Sequence, residues 1–289
     1  MLRPSGQFLS KPASVLSCGL MILEEYVADS AGPRRRLSRC RTLSIDVLHY
    51  YRQVPTCAHD RICNFSRLEE LRRSVPRRIS WTMLFLKAYG KVAADCPQLR
   101  QIYMSWPWAH VYQHPHSVAM LAVERHFRDE RWLFWGRFSR PEKKPLLELQ
   151  QTLERYQREP VEDVFRRQLQ ISGIPKPFRR CLWWWTLNIS TRKRVRRTGS
   201  YFLTTLAAQG AEIQHPPAFL TTNVTYGPLD ASGRCRVTIA YDHRLMDGVL
   251  VARNLAELES TLNGPIQEEL EQLVRSAQLQ SGRVKPAAA

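Results

Sequence analysis

No apolar run in this chain of 289 residues reaches the ~18 residues of a membrane-crossing helix. Cysteine occurs seven times but never as Cys-x-x-Cys. Cys18, Cys40, Cys57, Cys63, Cys96, Cys181 and Cys235 are scattered and odd in number, which argues against a metal site. Reduced, mostly buried thiols in a cytoplasmic protein are the expectation. Acidic residues are missing altogether between Asp163 and Glu212, so any carboxylate partner for the basic residues there must come from elsewhere in the chain.

The 43 basic against 26 acidic side chains leave a net charge of +17. Such a charge calls for an anionic partner, and nucleic acid, anionic lipid, cofactor phosphates and an acidic carrier protein would all qualify. With 44% hydrophobic and 24% charged residues, the composition is that of an ordinary globular protein. The length fits one large domain, or one domain with an extension.

The rest of the chain is organised around Tyr241-Asp242-His243-Arg244-Leu245-Met246-Asp247-Gly248. Residues 234–240 (RCRVTIA) alternate and are β-branched, which predicts a strand. Val249, Ala252, Leu255, Leu258 and Leu262 recur at helical intervals, which predicts a helix packed on one face. Asp247 stands where its carboxylate could cap that helix. His243 therefore falls at a strand end, where a neutral imidazole can take a proton from a thiol or hydroxyl near neutral pH. An isolated H-x-x-x-D-G also occurs as a plain turn, so the flanking residues decide between the two.

The stretch YDHRLMDGVLVARNLAELESTLNGP resembles the C-terminal signature of the acyltransferase cores of 2-oxoacid dehydrogenase complexes, which share a fold with chloramphenicol acetyltransferase. Tyr241, Asp242, His243, Arg244, Asp247, Gly248 and Pro265 match its pattern. The resemblance implies an α/β (α+β) two-layer sandwich of the chloramphenicol-acetyltransferase type, a mixed sheet with helices packed on one face. Such domains form homotrimers with active sites between neighbouring subunits.

Residues 1–32 read as an extension, with Met21 as an alternative start, since the stretch between Lys11 and Cys18 is too short for a signal core. The domain is expected over 33–273 and an unstructured tail over 274–289. Ser44 predicts a short helix ended by Val54-Pro55. Residues 56–65 predict a strand, Ser66-Arg67-Leu68-Glu69 a capping box, and Ser80 the start of a helix ended by Cys96-Pro97. Within it, Lys87-Ala88 is similar to a Lys-Ala of the family.

Strands are predicted at 101–105, 109–113, 117–125 and 131–138, the last two joined by a turn at Asp129-Glu130. His114-Pro115-His116 reads as a loop rather than a metal site. Trp132 and Trp135 fall on opposite strand faces. Helices are predicted at 145–157 and 161–169. Residues 175–197 hold Trp183-Trp184-Trp185 among eight basic side chains. They read as a docked helix with a solvated basic end, or as a face for anionic lipid, with nucleic acid a weaker fit.

Residues 199–206 are similar to the family segment that supplies an oxyanion-binding serine, which falls on Thr204. Thr205 stands for the family's Asn and Ala207 for its Gly. His215-Pro216-Pro217 resembles an Asn-Pro-Pro that leads into a strand.

The resemblance implies an acyl transfer in which His243 is the general base and Thr204 of the adjacent subunit stabilises the oxyanion. Asp247 fixes the turn, paired with Arg41 or Arg39. Thr205, Arg244 and Gly248 contribute to substrate binding. No permanently bound cofactor is expected. The co-substrate is a coenzyme A thioester or acyl carrier protein, and the acceptor a small molecule or lipid, with peripheral membrane contact compatible. Because about thirty residues precede the domain, a free-standing member without a lipoyl segment is expected. A second reading, from another class, is a non-catalytic member that binds or scaffolds through 175–197.

Overall fold

The computed structural model describes residues 32–283, apart from 36 and 218, so the extension read over the first residues, with Met21 as an alternative start, lies almost wholly outside the described residues. Contacts divide the chain into Met1–Ser38 and Arg39–Ala289, and every element below belongs to the second unit.

Six strands form a mixed sheet: β1 (Thr56–Asn64), β4 (Val118–Phe127), β5 (Glu130–Ser139), β6 (Tyr201–Thr204), β7 (Thr222–Tyr226) and β8 (Arg234–Asp242), in the order β1-β8-β7-β6-β4-β5. β6 runs parallel to β4 and β7, and the other pairs are antiparallel. A separate hairpin joins β2 (Gln101–Met104) and β3 (His110–Gln113). The β4–β5 turn lies at Arg128 and Asp129, both at positive φ (51° and 61°). That is one residue earlier than expected, in the left-handed geometry of two-residue hairpins.

Alternation assigns each strand's side chains to two faces. Leu121, Phe134, Tyr201, Val224 and Ile239 point into one main core. This core is covered by α2 (Ser66–Ser74), α3 (Trp81–Asp95), α4 (Leu146–Arg158), α9 (Gly248–Thr261) and α10 (Gln267–Arg283). α3 contributes ten buried residues. Its Lys87 is buried against Glu269 of α10, and Glu269 also accepts from the backbone N–H of Leu146 at 2.8 Å.

A smaller layer lies on the other face. There α1 (Thr42–Tyr51) and α7 (Lys176–Asn188) pack Tyr50, Leu187 and Trp183 on Met120 and Phe202. Trp132 belongs to the first core and Trp135 to the second, as their spacing predicts.

Several boundaries move. α1 begins at Thr42, before Ser44. Ser66 lies inside α2 after Phe65, so no capping box forms. Glu69 is turned instead to Arg72, Arg73 and the indole of Trp81, a cluster of donors stronger than one backbone N–H. The helix predicted at 161–169 is two, α5 (Val161–Val164) and α6 (Arg166–Gly173), because the buried Phe165 leaves helical geometry. The basic Trp-rich stretch is also two helices, α7 and α8 (Thr191–Thr198), with Ser190 capping the second through the N–H of Lys193. α10 continues to Arg283, past the boundary expected at 273. Val274 still packs on the core, and Gly282 is the first helix-breaking residue after Pro265.

Candidate active site

β8 ends at Asp242, and the chain turns through His243, Arg244 and Leu245 before α9. Backbone bonds pin the turn on both sides. The His243 N–H donates to the carbonyl of Pro55 at 2.9 Å, and the Asp242 N–H to that of Thr221 at 3.1 Å. The buried carboxylate of Asp242 then holds Arg244 through both oxygens, at 2.8 and 2.6 Å. Such a bidentate pair fixes a guanidinium more firmly than a single contact. It lays Arg244 over the ring of Tyr103 in β2, 4.1 Å from its centroid. Behind Tyr103, the buried Arg194 of α8 donates to the carbonyls of Tyr103 and Leu187 at 2.7 and 2.9 Å. Burial holds Arg194 below the usual guanidinium value, with the charge of Asp242 acting the other way.

His243 itself stays accessible, its side chain 46% exposed and its Nδ1 3.9 Å from Oδ1 of Asp247. The His243 ring leans on Tyr241, whose hydroxyl lies 3.0 Å from Nε2 of His59. Burial first, then the neighbouring Cys57 and Asp247, raise the Tyr241 hydroxyl, which keeps it a protonated donor. A Cβ at Gly248 would come within 2.6 Å of His59 Nε2, so a larger residue there requires that exposed ring to move aside.

Asp247 occupies the N-cap position of α9 without a side-chain capping bond. Its carboxylate is 88% exposed and turned toward His243, which is why the cap expected from the sequence does not form. Arg39 does not reach it: that guanidinium binds Ser172 Oγ and the carbonyl of Leu169 at 3.1 and 2.8 Å. Arg41 is exposed and makes no recorded ion pair with Asp247 among the described residues. Arg244 is likewise held by Asp242 and Tyr103. Thr205 secures the turn after β6, donating to the carbonyl of Tyr226 at 2.8 Å and accepting from the N–H of Ala207 at 3.0 Å. Thr204, half-buried at the end of β6, makes no side-chain hydrogen bond recorded among the described residues.

Thr204 and His243 are not brought together within one chain. Thr204 is level with Thr225, and Thr225 with Thr238 of β8. His243 lies five residues farther along β8 and two strands across, which at ~3.3 Å per residue and ~4.8 Å per strand is about 19 Å.

Sequence reasoning missed Tyr103, His59 and Arg194. Arg194 shares a helical stripe with the buried Val195 and Thr198, the one available signal that it points inward. It also missed Asp46, fully buried and paired with Arg179 and Arg180. Asp46 sits on the apolar stripe of Leu43, Val47 and Tyr50, where a carboxylate needs a buried cation.

No family model and no curated protein matches the sequence. Solved structures do. A dihydrolipoamide acetyltransferase of Azotobacter vinelandii is 13% identical, with a TM-score of 0.61 over 85% of this chain and 97% of its own. A catalytic core of the 2-oxoacid dehydrogenase multienzyme complex from Thermoplasma acidophilum is 12% identical, with a TM-score of 0.60 over 81% and 99%. A probable dihydrolipoamide acetyltransferase of Listeria monocytogenes gives 10% and 0.57 over 81% and 95%. The chain has the fold of these catalytic cores, the two-layer sandwich expected from the signature around His243.

Proposed function

We propose that this chain is an acyltransferase. It moves an acyl group from a thioester, acyl-CoA or an acyl carrier, to the thiol or hydroxyl of a small-molecule or lipid acceptor. The observation that carries the reading is the placement of His243. It is an accessible imidazole on a backbone pinned by Pro55 and Thr221, with Nδ1 toward Asp247 and Nε2 left for the acceptor. The acceptor's proton passes to His243 as its oxygen or sulfur attacks the thioester carbonyl. The tetrahedral oxyanion then collapses, the C–S bond breaks, and the departing thiolate takes the proton back. A serine, a histidine and an asparagine are addressed in the catalytic mechanism of the Azotobacter core, the last two being four residues apart as His243 and Asp247 are.

Thr204 supplies the oxyanion donor from a second copy of the chain, because within one chain it lies at the wrong end of the sheet. A closed oligomer, a trimer in this reading, provides that second copy. Coenzyme A thioester is the co-substrate and no resident cofactor is required.

Purified protein given acyl-CoA and a thiol acceptor should release CoA. His243→Ala should lose at least ~100-fold of the rate, and Thr204→Ala about 3 kcal/mol of transition-state stabilisation, again roughly a hundredfold. The two variants, inactive apart, should regain activity when co-refolded, since mixed assemblies contain seams with both wild-type residues. Equal rates for wild type and His243→Ala would end the enzymatic reading. Failure of the mixture to recover would end the two-copy site.

A further inference from the structure

The second face of the sheet contains a site the acyl-transfer reading does not use. A cavity of about 340 Å³ lies there, floored by Met120 and Trp135 and walled by Ile171, Leu182 and Trp183 from α6 and α7. A largely apolar recess of this size falls in the range of ligand pockets. Four arginines, Arg137, Arg167, Arg196 and Arg197, share its lining. Among the described residues none of them forms an ion pair, and the one recorded bond from their guanidinia runs from Arg197 to Thr186 Oγ1 at 3.1 Å. Burial, then repulsion from Arg197 and Arg196, lowers Arg167.

Like charges gathered without a counter-ion favour an anion between them. The indole N–H of Trp183 is buried without an acceptor, and a bound oxygen would satisfy it. The cavity is also remote from His243. Met120 is level with Ala240 across three strand spacings, and His243 lies three residues beyond, roughly 17 Å away by strand geometry.

We propose that this cavity binds a single-chain anionic amphiphile, its acyl chain in the apolar space and its carboxylate or phosphate head among Arg137, Arg167, Arg196 and Arg197. A methylene fills roughly the ~30 Å³ of a water molecule, so the space suits a chain on the order of ten carbons. The inference is independent of turnover at His243, because its readout is binding.

The test is calorimetry and tryptophan fluorescence with decanoate, decyl phosphate, decanol and decyltrimethylammonium, each below its micelle concentration. Inorganic phosphate and phosphatidylglycerol vesicles serve as further arms. The anionic amphiphiles should saturate at one per chain and bind at least tenfold more tightly than decanol, the cation or inorganic phosphate. The tighter of the two anions identifies the head. Arg167→Gln/Arg196→Gln should weaken both anions at least tenfold, and Ile171→Trp should abolish binding by filling the cavity, with circular dichroism unchanged in each. Three outcomes overturn the site: equal affinity for the cation, unchanged affinity in both variants, or binding to vesicles alone, which would mark a membrane face instead. Inorganic phosphate binding as tightly as the amphiphiles would reduce it to an anion patch and overturn it too.

Discussion

The two faces of the sheet are built by different rules. The face under α3 and α9 is closed by shape. Phe85 stacks on Tyr226 at 4.2 Å between centroids, Phe134 on Phe165 at 4.6 Å, and the hydroxyl of Tyr89 reaches Thr222 at 2.8 Å. Its buried amine, Lys87, has Glu269. The face under α1 and α7 is closed by charge, with Asp46 holding Arg179 and Arg180, and it leaves an apolar space lined by arginines. Close packing leaves nothing to adapt, so the first face maintains the fold. The second retains room and cations that form no ion pair among the described residues, which are the material of a ligand site.

Two substitutions test that contrast. Phe85→Ala removes a fully buried ring and should cost about 4 kcal/mol in urea unfolding, with amide exchange rising across the whole domain. Asp46→Ala leaves the buried guanidinium of Arg179 and the half-buried one of Arg180 beside no carboxylate and should cost about 3 kcal/mol, with exchange rising first in residues 176–188 and little in 81–95. If Asp46→Ala instead loosens both regions equally, the second layer is part of one undivided core.

What the sequence carried, and what it withheld, follows the same division. Strand alternation placed Trp132 and Trp135 on opposite faces, and the run from Tyr241 to Pro265 foretold strand, turn, helix and fold. Those signals are local, set by a period or a short motif. The pairing of Asp46 with Arg179 spans 133 positions, and nothing within either segment names the other. The stripe on α1 announces only that Asp46 needs a cation. Local capping chemistry misled as well: Glu69 and Asp247 sit at helix starts, yet arginines one turn on in the same helix and the indole of Trp81 claim the first carboxylate, and solvent the second. The separation of Thr204 from His243 was equally hidden, because it depends on strand order and register.

His114 supplies the smallest of the expected effects. It follows β3, with its backbone held by Arg100 and its ring against Tyr112 and His116. Neither ring nitrogen makes a well-formed hydrogen bond among the described residues, and the backbone of His116 is the one polar group acting on the ring. Burial, then the charges of His116, Arg100 and Arg137, push it down to about 4, although the carbonyl contact at His116 acts upward. The unfolded chain takes up a proton near ~6.5 and the folded chain resists until about 4. Between these values the unfolded state binds more protons, so stability is whole above ~6.5 and falls as the pH drops. From pH 7 to 4.5 this group alone should withdraw about 2 kcal/mol. His114→Phe removes the titration while keeping a ring in the space. Its unfolding free energy should fall less steeply over that window than that of the wild type, by about one proton in slope. Parallel curves for the two proteins would mean that the ring gains a proton in the folded state as readily as in the unfolded one, and that the buried site is wetter than its contacts imply.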